Sequence, residues 1–184
     1  MEDTKQKLAT SLKELMQSEA VDHITVNQLT DYAKVSRNTF YYHFVDIHET
    51  LTWIYDHEVI AQLDDYQNQR DWGDGLLKVL NYIEDNKEFC LNTFRSVNRD
   101  LLNRFLYGHL FNMVVRVVDE INPNCSDELR DEIGNFYGWA IVMQIVQWLT
   151  TSLSESKEEF LARIYKMLHT TIIHVVQKNT DLDN

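Results

Sequence analysis

Apolar positions recur at helical spacing along almost the whole chain, and their phase predicts an all-α protein. Leu8, Leu12, Leu15 and Met16 share one face of a helix over about 4–18, with Lys5, Lys7 and Lys13 among its polar positions. Three short segments follow between residues 24 and 49, each with its own start signal. Thr25 with Gln28 three residues on makes a capping box, flanked by Ile24 and Leu29 as a hydrophobic staple. Ser36 repeats the arrangement, with Val35 before it and Phe40 at the staple position. Asp46 and Glu49 open the third segment as another box, and their charge suits a helix N-terminus. Only Ala33, Lys34 and Val35 separate the first two segments, so those helices cross steeply, as a helix-turn-helix does.

The third segment extends to about residue 68 through Ile47, Leu51, Ile54, Tyr55, Val59 and Leu63. Residues 70–75, Arg-Asp-Trp-Gly-Asp-Gly, break the pattern and read as the clearest loop. Helices are then predicted over about 76–86, 86–97 and 98–121, the first two separate or one bent helix. Asn122-Pro123-Asn124-Cys125 ends the run. Ser126 caps a helix reaching about 152, and Ser156 with Glu159 opens the last one. Residues 170–176 are β-branched enough for a strand. Leu161, Ile164, Leu168, Ile172 and Val175 nonetheless keep helical spacing through them, so a helix is predicted, with a frayed tail over 179–184.

The second helix of the pair is polar for a core element. Phe40 and Phe44 give it one apolar edge, which leaves Arg37, Asn38, Thr39, Tyr41, Tyr42 and His43 for the outside. Guanidinium, amide, hydroxyl and imidazole groups at this density can read base edges in a major groove and hold phosphates beside them.

The run from Ile24 to Glu49, and above all Val35-Ser36-Arg37-Asn38-Thr39-Phe40-Tyr41-Tyr42-His43-Phe44, closely resembles the DNA-binding segment of TetR-family transcriptional regulators. Asp46-Ile47-His48, Trp53-Ile54-Tyr55 and Tyr82-Ile83-Glu84-Asp85-Asn86 resemble a narrower branch that includes the dihydroxyacetone-kinase regulator. The resemblance implies a three-helix reading domain over 1–47 fused to a C-terminal helical bundle over 48–184. It implies a homodimer joined through the helices at about 126–152 and 156–178. Their apolar surplus includes Ile133, Phe136, Tyr137, Ala140, Ile141, Ile145 and Trp148. It also implies a repressor on a two-fold operator in double-stranded DNA, released or modulated by a small effector whose contacts the sequence leaves unknown. Arg37, Asn38, Thr39, Tyr42 and His43 are then expected in the groove, and Lys34, Ser36 and Tyr41 on phosphates. Asn27 matches a position that approaches a base in some relatives. Lys34 stands where glycine often makes the turn, and Val45 and Ile47 stand where relatives often carry cations.

Charge complicates that picture. The chain holds 29 acidic against 17 basic residues, a net of −12, and residues 1–50 hold five Lys or Arg against eight Asp or Glu. Neutralisation of phosphates by Lys and Arg supplies most non-specific affinity for DNA, so the reader is expected to bind weakly and selectively. The same acidity motivates an alternative, a DNA-independent coactivator of the same fold that binds a second regulator. A ligand-binding helical protein or enzyme with a vestigial reader is the remaining alternative. No phosphate loop, nucleophile elbow or triad spacing supports an enzyme. His43 with His48, and His169 with His174, lie five apart and miss the same-face spacing of a helical metal pair. No metal or cofactor is therefore expected. Cys90 and Cys125 read as buried thiols of a reducing compartment. No uncharged 18-residue apolar run occurs and Met1–Lys5 lacks a signal-peptide core, so a cytoplasmic protein without a membrane span is expected.

Overall fold

A computed structural model describes residues 2–59, 72–97 and 99–180. Among these residues the chain forms nine α-helices and no strand: α1 (Glu2–Leu15), α2 (Val26–Ala33), α3 (Arg37–His43), α4 (Ile47–Ile54), α5 (Trp72–Asp85), α6 (Lys87–Phe94), α7 (Arg99–Ile121), α8 (Asp127–Thr150) and α9 (Lys157–Thr180). A π-turn over Tyr55–Val59 continues α4. The predicted extension of that helix to residue 68 lies outside the described residues, as do 70–71 of the predicted loop and 181–184 of the tail. The rest of the predicted loop is helical, because α5 starts at Trp72 and takes Gly73 and Gly75 into its first turn. The β-branched stretch 170–176 lies within α9. The side chains there obey their apolar spacing, burying Ile172 and Val176, and not their strand propensity.

The contacts divide into two compact units. The first comprises residues 1–65 and 86–103. Its core forms where α1 crosses α2 and α4, with Leu8, Ala9, Leu12 and Met16 fully buried beside Leu29, Phe40, Leu51 and Ile54. The later stretch joins that core through side chains. Tyr55 stacks on Phe89 with centroids 5.5 Å apart, Asn92 Nδ2 donates to the Met16 carbonyl at 2.7 Å, and the Val97 N–H donates to Asp22 Oδ2 at 2.9 Å. The Asn92 bond satisfies a carbonyl just past the end of α1, where the helix itself has no donor left to offer.

The second unit comprises residues 66–85 and 104–184. Helix α9 packs on α5 and α8, and Lys157 ties its start to Glu84 and Asn81 of α5, each at 2.7 Å. Helices α7 and α8 approach closely at Gly134, where a Cβ would meet Phe111 Cε2 at 2.7 Å and Val115 Cγ2 at 3.0 Å. Beside this contact Tyr107 stacks on Trp139 at 4.6 Å and donates to Asn135 Oδ1. The turn from α8 to α9 has Ser152 and Leu153 both at positive φ, 60° and 58°. It is pinned by Trp148 Nε1 donating to the Glu155 carbonyl at 2.9 Å, and Arg163 pairs with the Glu155 carboxylate.

Helix α8 corrects one detail of the sequence reading. Ile133, Ile141, Ile145 and Trp148 are buried within the unit, whereas Phe136, Trp139 and Met143 are exposed at 71%, 42% and 56%. The helix is apolar on most sides, so its sequence carries no phase to tell the two faces apart.

Candidate nucleic-acid interface

Each helix of the reading pair is set by its cap. Thr25 Oγ1 accepts the Gln28 N–H at 3.2 Å while Gln28 Oε1 accepts the Thr25 N–H at 2.8 Å, the reciprocal box the sequence predicts. Lys34 ends α2 in the left-handed conformation, φ 52° and ψ 47°. Its N–H donates to the Asp31 carbonyl, and the Val35 N–H reaches back to that of Thr30 at 3.0 Å. These bonds close the α2 C-terminus and turn the chain sharply into α3. A glycine would do so without the side-chain strain that Lys34 carries.

Ser36 then caps α3, its Oγ accepting the Thr39 N–H at 3.1 Å and lying 2.8 Å from Thr39 Oγ1. Phe40 and Phe44, buried to 0% and 3% exposure, hold the helix to the core. Phe44 also meets Trp53 edge-on at 6.2 Å. Fixing that edge turns Arg37, Asn38, Tyr41 and Tyr42 outward, at i, i+1, i+4 and i+5 of one helical face. All four are exposed, Tyr41 at 51% and Tyr42 at 73%. Thr39 and His43 flank that face half-buried, and His43 meets the Tyr42 ring edge-on at 5.0 Å. The Arg37 guanidinium lies 5.9 Å from the Tyr41 ring centroid, and Asn27 is exposed on α2. Ser36 is exposed, but its hydroxyl is already engaged with Thr39. Of the lysines of α1, Lys5 is drawn over the Phe44 ring at 5.4 Å and Lys7 is exposed.

One exposed side chain escaped the sequence reading. Tyr32 on α2 is 51% exposed, and its hydroxyl is raised above the ordinary value by a hydrogen bond to Glu14 and by that carboxylate's charge. Val45, just past α3, is 76% exposed. A lone tyrosine gives no periodic signal that would have flagged Tyr32. Of the aromatic residues of the second unit, Tyr82, Phe105, Trp148 and Phe160 are buried, Tyr107 is half-buried against Trp139, and Phe136, Trp139 and Tyr165 are exposed. Arg95, Arg99 and Arg104 are exposed. No group of three or more His, Cys, Asp or Glu side chains among the described residues is placed to hold a metal ion. No helix among them is long and apolar enough to cross a membrane.

A capped helix pair joined by a tight turn, with a polar second helix and only helices among the other described elements, marks a helix-turn-helix regulator of transcription. Residues 70–170 match the family described as the transcriptional regulator C-terminal region, of the TetR class. The chain belongs to the TetR family of transcriptional regulators. It is 33% identical over 91 residues to the HTH-type dhaKLM operon transcriptional activator DhaS of Lactococcus lactis subsp. lactis (strain IL1403). That match covers 50% of this chain and 49% of the relative, about half the length of each. A solved structure of the dihydroxyacetone kinase operon activator DhaS superposes with a TM-score of 0.74 at 25% identity, covering 92% of this chain and 96% of that one. NalD, the secondary repressor of the MexAB-OprM multidrug efflux pump in Pseudomonas aeruginosa, superposes with a TM-score of 0.63 at 14% identity, over 91% and 95% of the two chains, and shares the fold. These relatives are regulators and not enzymes, and the branch expected from residues 46–55 and 82–86 is the one to which DhaS belongs.

Proposed function

We propose that the chain regulates transcription as a homodimer that reads a two-fold operator in double-stranded DNA, with residues 1–47 as the reading segment and 48–184 carrying dimerisation and response to a small effector. The observation that carries this reading is the outward row Arg37, Asn38, Tyr41 and Tyr42, fixed by the buried Phe40 and Phe44. Arg37, Asn38, Thr39, Tyr42 and His43 enter the groove, Asn27 approaches a base, and Lys34, Ser36 and Tyr41 hold phosphates. The exposed stripe Phe136, Trp139 and Met143 on α8, with Tyr165 and Met167 on α9, supports a self-complementary interface, because apolar stripes of this kind seek cover.

Repression follows most simply from a dimer seated over a promoter. The likeness to DhaS, named an operon activator, supports activation as the second reading. A reporter fused to the regulated promoter, with and without the gene, distinguishes the two by the sign of its response. Selection of bound duplexes from a random pool tests the DNA reading itself. A two-fold motif is expected, and Arg37→Ala should relax it while losing roughly 1–3 kcal/mol if the guanidinium meets a guanine. A folded dimer that enriches no motif at low salt, yet retains a second regulator, would instead mark a coactivator.

A further inference from the structure

The outward side chains of α3 are not independent of one another. Arg37 and Tyr41 stand four residues apart, so the later side chain leans back toward the helix N-terminus and over the earlier one. The Arg37 guanidinium carbon lies 5.9 Å from the Tyr41 ring centroid, within the range of a cation–π contact. That ring is itself held. It meets Phe40 edge-on, with centroids 5.3 Å apart and planes at 82°, and Phe40 is fully buried. The order thus runs from the core outward: Phe40 fixes the Tyr41 ring, and the ring carries Arg37. Although the chain holds 29 acidic residues, Arg37 forms no ion pair with any of them among the described residues.

An unattached arginine on an open helix surface samples many rotamers, and that freedom is lost when it grips a base. A ring beneath it restricts the side chain beforehand. The ring offers no carboxylate or carbonyl acceptor, so the guanidinium donors remain to be used in a bidentate contact, such as that with guanine O6 and N7. A carboxylate partner would occupy those donors instead. Tyr41 therefore holds two chemistries on different atoms. Its hydroxyl can serve a phosphate, and its ring serves Arg37.

We propose that Tyr41 is a positioning residue for base readout: its ring sets the Arg37 guanidinium in advance, and so contributes to sequence preference as well as to phosphate binding. The proposal rests on the DNA reading above. Tyr41→Phe keeps the ring and removes the hydroxyl, whereas Tyr41→Leu removes both and still covers Phe40. Anisotropy titrations use the duplex that the wild type selects from a random pool, and the same duplex with single base pairs of its motif changed. Their ratios give the discrimination at each pair, on proteins whose melting curves show them folded. Tyr41→Phe is expected to weaken every duplex alike and to keep wild-type discrimination. Tyr41→Leu is expected to lose about two- to five-fold of it, the size of an exposed cation–π contact, and only at the pair that Arg37→Ala relaxes. With Arg37→Ala already in place, the two changes at Tyr41 should give equal discrimination. Equal discrimination in Tyr41→Phe and Tyr41→Leu with Arg37 present overturns the positioning role. So does a loss spread over the whole motif, or one that persists without Arg37. Discrimination left intact by Arg37→Ala overturns it as well. All of these presuppose a wild type that binds, and they leave the DNA reading standing. If the wild type selects no motif at low salt, the DNA reading falls and takes the positioning role with it.

Discussion

Replacing Lys34 by glycine should move stability and DNA binding in opposite directions. Lys34 sits at φ 52° and ψ 47°, where a side chain with a Cβ crowds the following carbonyl at a cost of roughly 1–2 kcal/mol. Glycine relieves that strain but gives the unfolded chain more freedom, which returns about 0.4–1 kcal/mol. The net is a gain of about 0.5–1 kcal/mol, or a melting temperature higher by roughly 1–4 °C for a chain of this size. The same change removes an ammonium from the turn beside Ser36. If each protomer holds one phosphate with it, the dependence of log K on log salt should become shallower by ~0.9 per protomer, near two for a dimer. Lys34→Asn, uncharged yet tolerant of the left-handed region, separates the two effects. Thermal melts and duplex titrations over a salt series measure both quantities. A lower melting temperature for Lys34→Gly would refute the strain argument. A higher one with an unchanged salt slope would refute the phosphate contact and leave the strain argument intact.

Gly134→Ala should destabilise by roughly 1–3 kcal/mol in urea melts, since its Cβ lands 2.7 Å from Phe111 Cε2. Gly108→Ala, with nothing within 4 Å of the new Cβ, should instead gain about 0.5–1 kcal/mol from helix propensity. Asn92→Ala leaves the Met16 carbonyl without its buried donor and should cost about 1–3 kcal/mol in the same melts. The Cys90 thiol is pushed up from 9.0 to about 12 by burial, which outweighs the opposing pull of the Lys13 charge. The unfolded chain therefore releases this proton first. Stability is untouched by Cys90 below pH 9, then declines as pH rises from about 9 toward about 12, and the decline should be weaker in Cys90→Ala when urea midpoints are compared across that range.

What could be read from the sequence was what short-range chemistry decides. Thr25, Ser36 and Ser126 each take a backbone N–H three residues on, so the starts of their helices are written in single side chains. The outward face of α3 follows directly from Phe40 and Phe44 four residues apart. At Lys34 it was the resemblance that pointed to a special turn, since glycine often stands there in relatives, and the residue is left-handed. Other features depended on packing that no local pattern encodes. Trp72 starts a helix despite the two glycines behind it. Trp139 and Met143, and not Ile141 and Ile145, face outward on a helix apolar nearly all round. Glu49 accepts the Val45 N–H, one residue before the cap, where the box pattern expects that of Asp46.

The bonds that hold residues 86–97 against the reading helices bear on anyone who would move this reader to another regulator. A transplant cut after the π-turn at Val59 would carry the Tyr55 ring away from Phe89. It would also remove the donors that Asn92 and Val97 supply to Met16 and Asp22. The grafted piece would arrive with a wound in its own core, and its melting temperature would report the host's patching more than the reader's worth. The portable cassette is discontinuous: two stretches of gene, spliced in at two places, are the smallest exchange that leaves the first unit whole.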